Sequence, residues 1–170
     1  MAGHFYSLFG SFRSLRRRKQ KGATAVEMAL IAPAFFLLMI GTIEGALMLT
    51  AQQLMEHATF NTSRLAKTGF VASGQTQAQT VNQVLMQELQ SFGTMIDTTQ
   101  VTMTSTAYTT FNMIGAPGQG SSTMGTPEQI VVYTVSYPWR LFTPMLGAIM
   151  GTNGIVTLTS RIVVRNEPYS

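Results

Sequence analysis

Hydrophobic positions run almost without interruption from Ala29 to Leu49, where the chain reads ALIAPAFFLLMIGTIEGALML with a single charge, Glu44. Wound as a helix, that run is roughly 31 Å long, close to the hydrocarbon thickness of a bilayer. The spacing predicts a membrane-spanning helix. Beyond it the pattern turns periodic. Leu47, Ala51, Leu54, Ala58, Asn61 and Leu65 recur at alternating intervals of four and three, with Glu56, His57, Arg64 and Lys67 off the stripe. Gly69 is a helix stop. Two arrangements fit: one helix from about Ala23 to Thr68, or two helices with a bend near Thr50.

After a polar, Gln-rich stretch over 73–80, Val81, Val84, Leu85, Leu89 and Phe92 form a second amphipathic helical face, closed by Gly93. From Gln100 the period drops to two. Val101, Met103, Ala107 and Phe111 point one way, and Thr102, Thr104, Thr106 and Tyr108 the other. A Gly-, Pro- and Ser-rich loop over 115–127 leads to the strongest strand, Ile130 to Tyr137, which Pro138 is expected to end. Trp139 to Met150 reads as a connection rich in large apolar residues, and it either caps the core, the favoured reading, or forms an exposed patch. The last strand places Val156, Leu158, Ile162 and Val164 on one face and Thr157, Thr159, Arg161 and Arg165 on the other. The fold class is α+β: a long N-terminal transmembrane helix continuing as a spine, a second short helix and a small antiparallel sheet of about three strands.

Charge sharpens this picture. Residues 1–21 carry six of the eleven Lys and Arg and no acid, so the rest of the chain is slightly acidic. The high pI therefore belongs to the leader, and no basic face for nucleic acid is expected. Arg16, Arg17, Arg18, Lys19 and Lys21 stand immediately before the apolar run, which predicts a cytoplasmic N-terminus and an extracytoplasmic C-terminus. The expected domains are a leader over 1–22, a span over 23–50 and an outer α+β domain over 51–170. Residues 1–12 read as an unstructured tail, with a weak interfacial helix as the alternative. A twin-arginine signal is a rival reading of the Arg run. Leu49-Thr50-Ala51 puts Leu where a small residue is required, which counts against any cleavable secretory signal at that point.

Inside the run, Pro33 lacks an N–H and predicts a kink or softened turn. Gly41 and Gly45 make a G-x-x-x-G pair that permits close helix approach, a pattern also frequent by chance. Glu44 is expected to snorkel to water, or else to pair with a neighbouring subunit.

Candidate chemistry is sparse. The sequence has no cysteine. His57 has no second ligand at a useful spacing, the glycines of 115–127 lack the Gly-Lys-Ser/Thr ending of a phosphate loop, and no nucleophile–base arrangement is visible. No enzymatic activity, cofactor or metal is expected. The informative local feature is Gly22 with Glu27 five residues on, at the mouth of the apolar helix. A carboxylate there is costly in lipid unless compensated. Cleavage between Gly22 and Ala23 would create an amine on Ala23 that Glu27 of a neighbouring helix could neutralise; the plain alternative is an interfacial Glu beside an ordinary topology signal.

The basic leader, Gly22, Ala23-Thr24-Ala25-Val26-Glu27 and the hydrophobic helix resemble a type IV prepilin-class signal. The longer string GATAVEMALIAPAFFLLMIGTIEGA resembles the TadE-like pseudopilins of tight-adherence, or Flp-type, pilus systems, and Arg161 to Tyr169 is similar to the ending of that family. The resemblance implies a pilin-like plan, residence in the bacterial inner membrane, processing at Gly22–Ala23 by a prepilin peptidase, and packing on other pilin and pseudopilin subunits during pilus assembly and adhesion. Met28 departs from the pattern, in which an aromatic residue often follows the Glu. The alternative is an uncleaved single-pass anchor whose outer domain scaffolds an envelope or secretion complex.

Overall fold

A computed structural model of the chain describes residues 13–169, with side chains described from Gly22 onward. The readings made for residues 1–12 lie outside the described residues. The architecture is α+β, with a long N-terminal helix, a second helix and a three-stranded antiparallel sheet. Helix α1 spans Arg13–Ala66, helix α2 Gln77–Ser91, strand β1 Thr102–Tyr108, strand β2 Ile130–Arg140, helix α3 Pro144–Met150 and strand β3 Ile155–Arg165. The contacts divide the chain into two units between Ile43 and Glu44.

In the first unit, α1 continues through Pro33 without ending. From Gly22 to Ile43 no residue is buried; Val26, Met28, Leu30, Ile31, Phe35, Phe36, Leu38, Met39, Ile40 and Ile43 are all exposed. Thr42 directs its hydroxyl to the Leu38 carbonyl, which hides its polarity within the helix.

In the second unit, α1 is unbroken through Thr50, so the single-helix arrangement is the one adopted. Its buried face is not centred on the expected stripe. Ala51 and Ala58 are buried as anticipated, but Leu54, Asn61 and Leu65 sit at the margin and Leu47 is exposed. The true face runs through Glu44, Met55, Thr59, Thr62, Ser63 and Ala66. Hydrophobicity alone misses it because three of its members carry hydroxyls. Thr59 donates to the Met55 carbonyl at 2.6 Å and Ser63 to the Phe60 carbonyl at 2.7 Å, so both behave as small apolar groups. Thr62 and Tyr133 have buried hydroxyls without a partner, and both line a gap too small to admit water. Burial, with a smaller contribution from Tyr169, pushes the Tyr133 hydroxyl above the usual tyrosine range.

The sheet is a meander in the order β1-β2-β3. Thr102 pairs with Ser136 and Tyr108 with Ile130, while Ile130 pairs with Arg165 and Arg140 with Ile155. Its inner face, including Met103, Ala107, Val131, Tyr133, Val135, Tyr137, Trp139 and Leu158, packs on α1 and on Leu85 and Leu89 of α2. Phe111, expected on the β1 inner face, is exposed in a short 3-10 turn beyond the strand. Pro138 does not end β2. β1 stops opposite Ser136, so from Tyr137 onward β2 has a free side on which a missing N–H costs nothing.

Four polar contacts fasten these elements. Thr76 caps α2 in a reciprocal pair with Gln79. Gln52 of α1 donates to the Thr159 carbonyl of β3 at 3.0 Å. At the far end of α1, the Glu167 N–H donates to the Lys67 carbonyl and the two side chains pair at 3.0 Å, the one ion pair among the described residues. Buried Asn166 donates to the Met124 and Thr126 carbonyls, which holds the end of the 115–127 loop against the last strand.

Candidate functional site: the apolar helix and its collar

All the residues singled out near the membrane run lie on α1. Arg16, Arg17, Arg18, Lys19 and Lys21 occupy its first turns, described as backbone only. Gly22, Ala23 and Glu27 follow, all exposed. The helix passes through the Gly22–Ala23 bond without interruption, and a Cβ placed on Gly22 would meet nothing within 4 Å. Glycine in a helix interior weakens it by about 1 kcal/mol relative to alanine. That turn is therefore both unobstructed and easier to unwind than its neighbours. Pro33 is exposed; Gly41 and Gly45 are half-buried, and a Cβ on Gly45 also meets open space.

The most apolar window of this helix is 0% buried, and by length and composition the helix can cross a membrane. It is compatible with a single-pass membrane anchor. Its apolar surface is available to lipid or to other helices.

Glu44 is where sequence reasoning went furthest astray. It does not snorkel. It is 3% exposed. Its carboxylate accepts the Phe142 N–H and, at 3.2 Å, the Thr143 N–H. Those two groups stand just ahead of α3, where the N-cap residue Thr143 makes no side-chain cap of its own. A carboxylate from α1 thus takes up the two N–H groups that lead into α3, near the positive end of that short helix. The only signal in the sequence was an acid in an apolar run followed, 99 residues later, by a Thr-Pro pair of the kind that starts helices.

The 139–150 segment combines both readings made for it. Trp139 is a buried part of β2, edge-on to Tyr137 and to Phe142. Phe142, Met145, Ile149 and Met150 are exposed. Gly147 is buried and approaches the Gly154 Cα so closely that a Cβ would sit 3.0 Å from it. His57 is exposed, edge-on to Phe92 at 5.8 Å and near the Asn61 amide.

Residues 22–64 match the model of the TadE-like protein family. The match begins at Gly22, takes in Glu27, Pro33, the Gly41–Gly45 pair and Glu44, and stops two residues before α1 ends. Over this segment the resemblance expected from the sequence is found. The sheet, and with it the likeness of Arg161–Tyr169 to the family's ending, lies beyond the match. No curated protein matches the chain, and no solved structure does. The TadE-like segment suggests a membrane protein associated with the Tad pilus.

Proposed function

We propose that this chain is a minor pilin or pseudopilin of a tight-adherence type IV pilus, a structural rather than a catalytic subunit. The observation that carries the reading is the TadE-like segment itself: an exposed apolar helix long enough to cross a membrane, opening on Gly22-Ala23 with Glu27 five residues after Gly22. The leader over 1–22 stays in the cytoplasm and a prepilin peptidase removes it. The span lies within 23–50 and the outer unit stands outside the inner membrane. The helix first rests in lipid and then exchanges lipid for the helices of other pilin subunits, with Gly41 and Gly45 allowing close approach. Glu27 neutralises the new amine of Ala23 on a neighbour.

Mass spectrometry and N-terminal sequencing of the chain purified from membranes test this. Ala23 is the expected first residue. Retention of Met1 defeats the processing step and leaves the second reading, an uncleaved anchor that scaffolds an envelope complex. That reading is favoured by one feature, the unbroken helix across Gly22–Ala23, which a peptidase must open before it can cut.

A further inference from the structure

The segment from Leu141 to Asn153 contains no charged residue, yet it presents Phe142, Met145, Ile149 and Met150 to the outside at 72%, 46%, 73% and 57% exposure. Met145 and Ile149 are four apart on α3 and share a face. The opposite side of α3 is taken up by Gly147 against the Gly154 turn. An uncharged helical turn with large apolar groups outward is not an ordinary solvated surface.

Its location says what covers it. Glu44 accepts the Phe142 and Thr143 N–H groups, so the start of α3 is pinned to the turn of α1 that directly follows Ile43. Ile43 is the last exposed apolar residue of the first unit. The uncharged helix between Glu27 and Glu44 is about 24 Å long, and exposed Leu47 and Leu49 carry its apolar surface past Glu44. A bilayer core of about 30 Å therefore reaches the level of Glu44, where further apolar surface beside the helix is favoured. The face of α3 supplies such surface at the outer end, while the Phe142 and Thr143 N–H groups just ahead of it satisfy a carboxylate that would otherwise meet lipid. Exposed Arg140, which makes no ion pair among the described residues, stands next in the chain to the segment and can reach lipid phosphate.

We infer that α3 is an interfacial foot: Phe142, Met145, Ile149 and Met150 seat in the outer boundary of the bilayer beside the exit of α1. The inference rests on the anchor reading of α1. Lipid is favoured over a second protein because the patch is bonded to the very turn that follows the lipid-compatible helix.

The chain has no native cysteine, so single labels are unambiguous. The full chain carrying Ile149→Cys, Phe142→Cys, Leu38→Cys or Thr104→Cys, each with an environment-sensitive fluorophore, is reconstituted in phosphatidylcholine vesicles with or without brominated phosphatidylcholine. Positions 38, 142 and 149 are expected to lose fluorescence to brominated lipid, and position 104, on the outer sheet face, to keep it. Quenching at 38 with none at 142 and 149 overturns the foot and leaves the anchor standing. No quenching at 38 overturns the anchor itself. Shielding at 149 that brominated lipid does not quench, and that fades as the chain is diluted among lipid, assigns the face to a second copy and overturns the lipid seat.

Discussion

The Glu44 carboxylate accepts the backbone N–H of Phe142, a residue 98 positions further along the chain. One bond thus joins the first turn of the outer unit to the start of its α3 segment. Glu44→Ala leaves the Phe142 and Thr143 N–H groups without that acceptor and is expected to destabilise the outer unit by about 1–3 kcal/mol. Glu44→Gln keeps an oxygen acceptor and costs less. The single Trp, Trp139, is buried edge-on to Phe142 and reports unfolding in denaturant. Equal midpoints for wild type and Glu44→Ala would show that the bond contributes nothing.

Gly22→Ala separates recognition from folding. The added methyl meets nothing within 4 Å, so no packing is lost, and the helix gains about 1 kcal/mol at that turn. The expected outcome is an accumulated full-length chain with unchanged thermal unfolding of the outer unit. Normal appearance of an Ala23 terminus in this variant contradicts the role given to Gly22.

Gly45→Ala has opposite effects on the isolated chain and on assemblies. Within one chain the new methyl is unopposed and the helix is stabilised by about 0.5–1 kcal/mol. Where two helices meet at Gly41 and Gly45, the same methyl separates the backbones. Energy transfer between labelled chains in vesicles is expected to fall while the denaturation midpoint holds or rises. Unchanged transfer rules out that glycine pair as a contact.

Gly69→Ala strains the clip at the far end of α1. Gly69 has φ +68°, and a Cβ there would sit 2.5 Å from the Tyr169 ring. The left-handed backbone alone costs an alanine about 1–2 kcal/mol. Tyr169 must also move, taking with it the neighbouring Lys67–Glu167 tie. A lower unfolding midpoint and faster exchange of the Glu167 amide are expected.

Asp97 gives the outer unit a local acid response. Its carboxylate accepts from the Thr99 hydroxyl at 2.6 Å, the Gln100 amide at 2.7 Å and the Thr99 N–H at 3.0 Å. The hydrogen bonds from Thr99, then from Gln100, hold its carboxyl below the ordinary value of 3.8. Because the folded value is lowered, the stabilisation is complete above the ordinary carboxylate range and is lost as pH falls through the folded value. Proton resonances of Thr99 and Gln100 are expected to shift at a pH below 3.8, and Asp97→Asn to abolish that step.

Local patterns made the long helix, the second helix, the three strands and the TadE-like segment legible. These are features written in consecutive residues: an uncharged run, a 3.6 period, a period of two. Most of the misses depend on residues distant in sequence, and one on local hydrogen bonds that disguise polar side chains. Glu44 finds its partners only after β2 has delivered Phe142 and Thr143 to it. Pro138 is tolerated because β1 is too short to reach it. The inner face of α1 is offset because Thr59 and Ser63 bond their own backbone and pass for apolar. Asn166 gives no local sign that it fastens the loop around Met124 and Thr126. The residues proposed for processing, Gly22, Ala23 and Glu27, rest on spacing, charge and family likeness rather than on packing, because nothing packs on Gly22.

The hydroxyls on the inner face of α1 bear on how the chain is made. A polypeptide inserted during synthesis offers each stretch to lipid before its later partners exist. Thr59, Thr62 and Ser63 share their gap with Val81, Leu85, Met103, Tyr133 and Val135, all translated afterwards. At ribosomal speeds Val135 follows Thr59 by roughly 4–15 s. Throughout that delay a leucine-rich stripe would slide into the bilayer and drag the helix with it. Glu56, Arg64 and Lys67 are poor passengers there, and the partnerless Thr62 hydroxyl adds to them, so the turns of α1 and the residues just after it that wait for these partners stay on the aqueous side meanwhile.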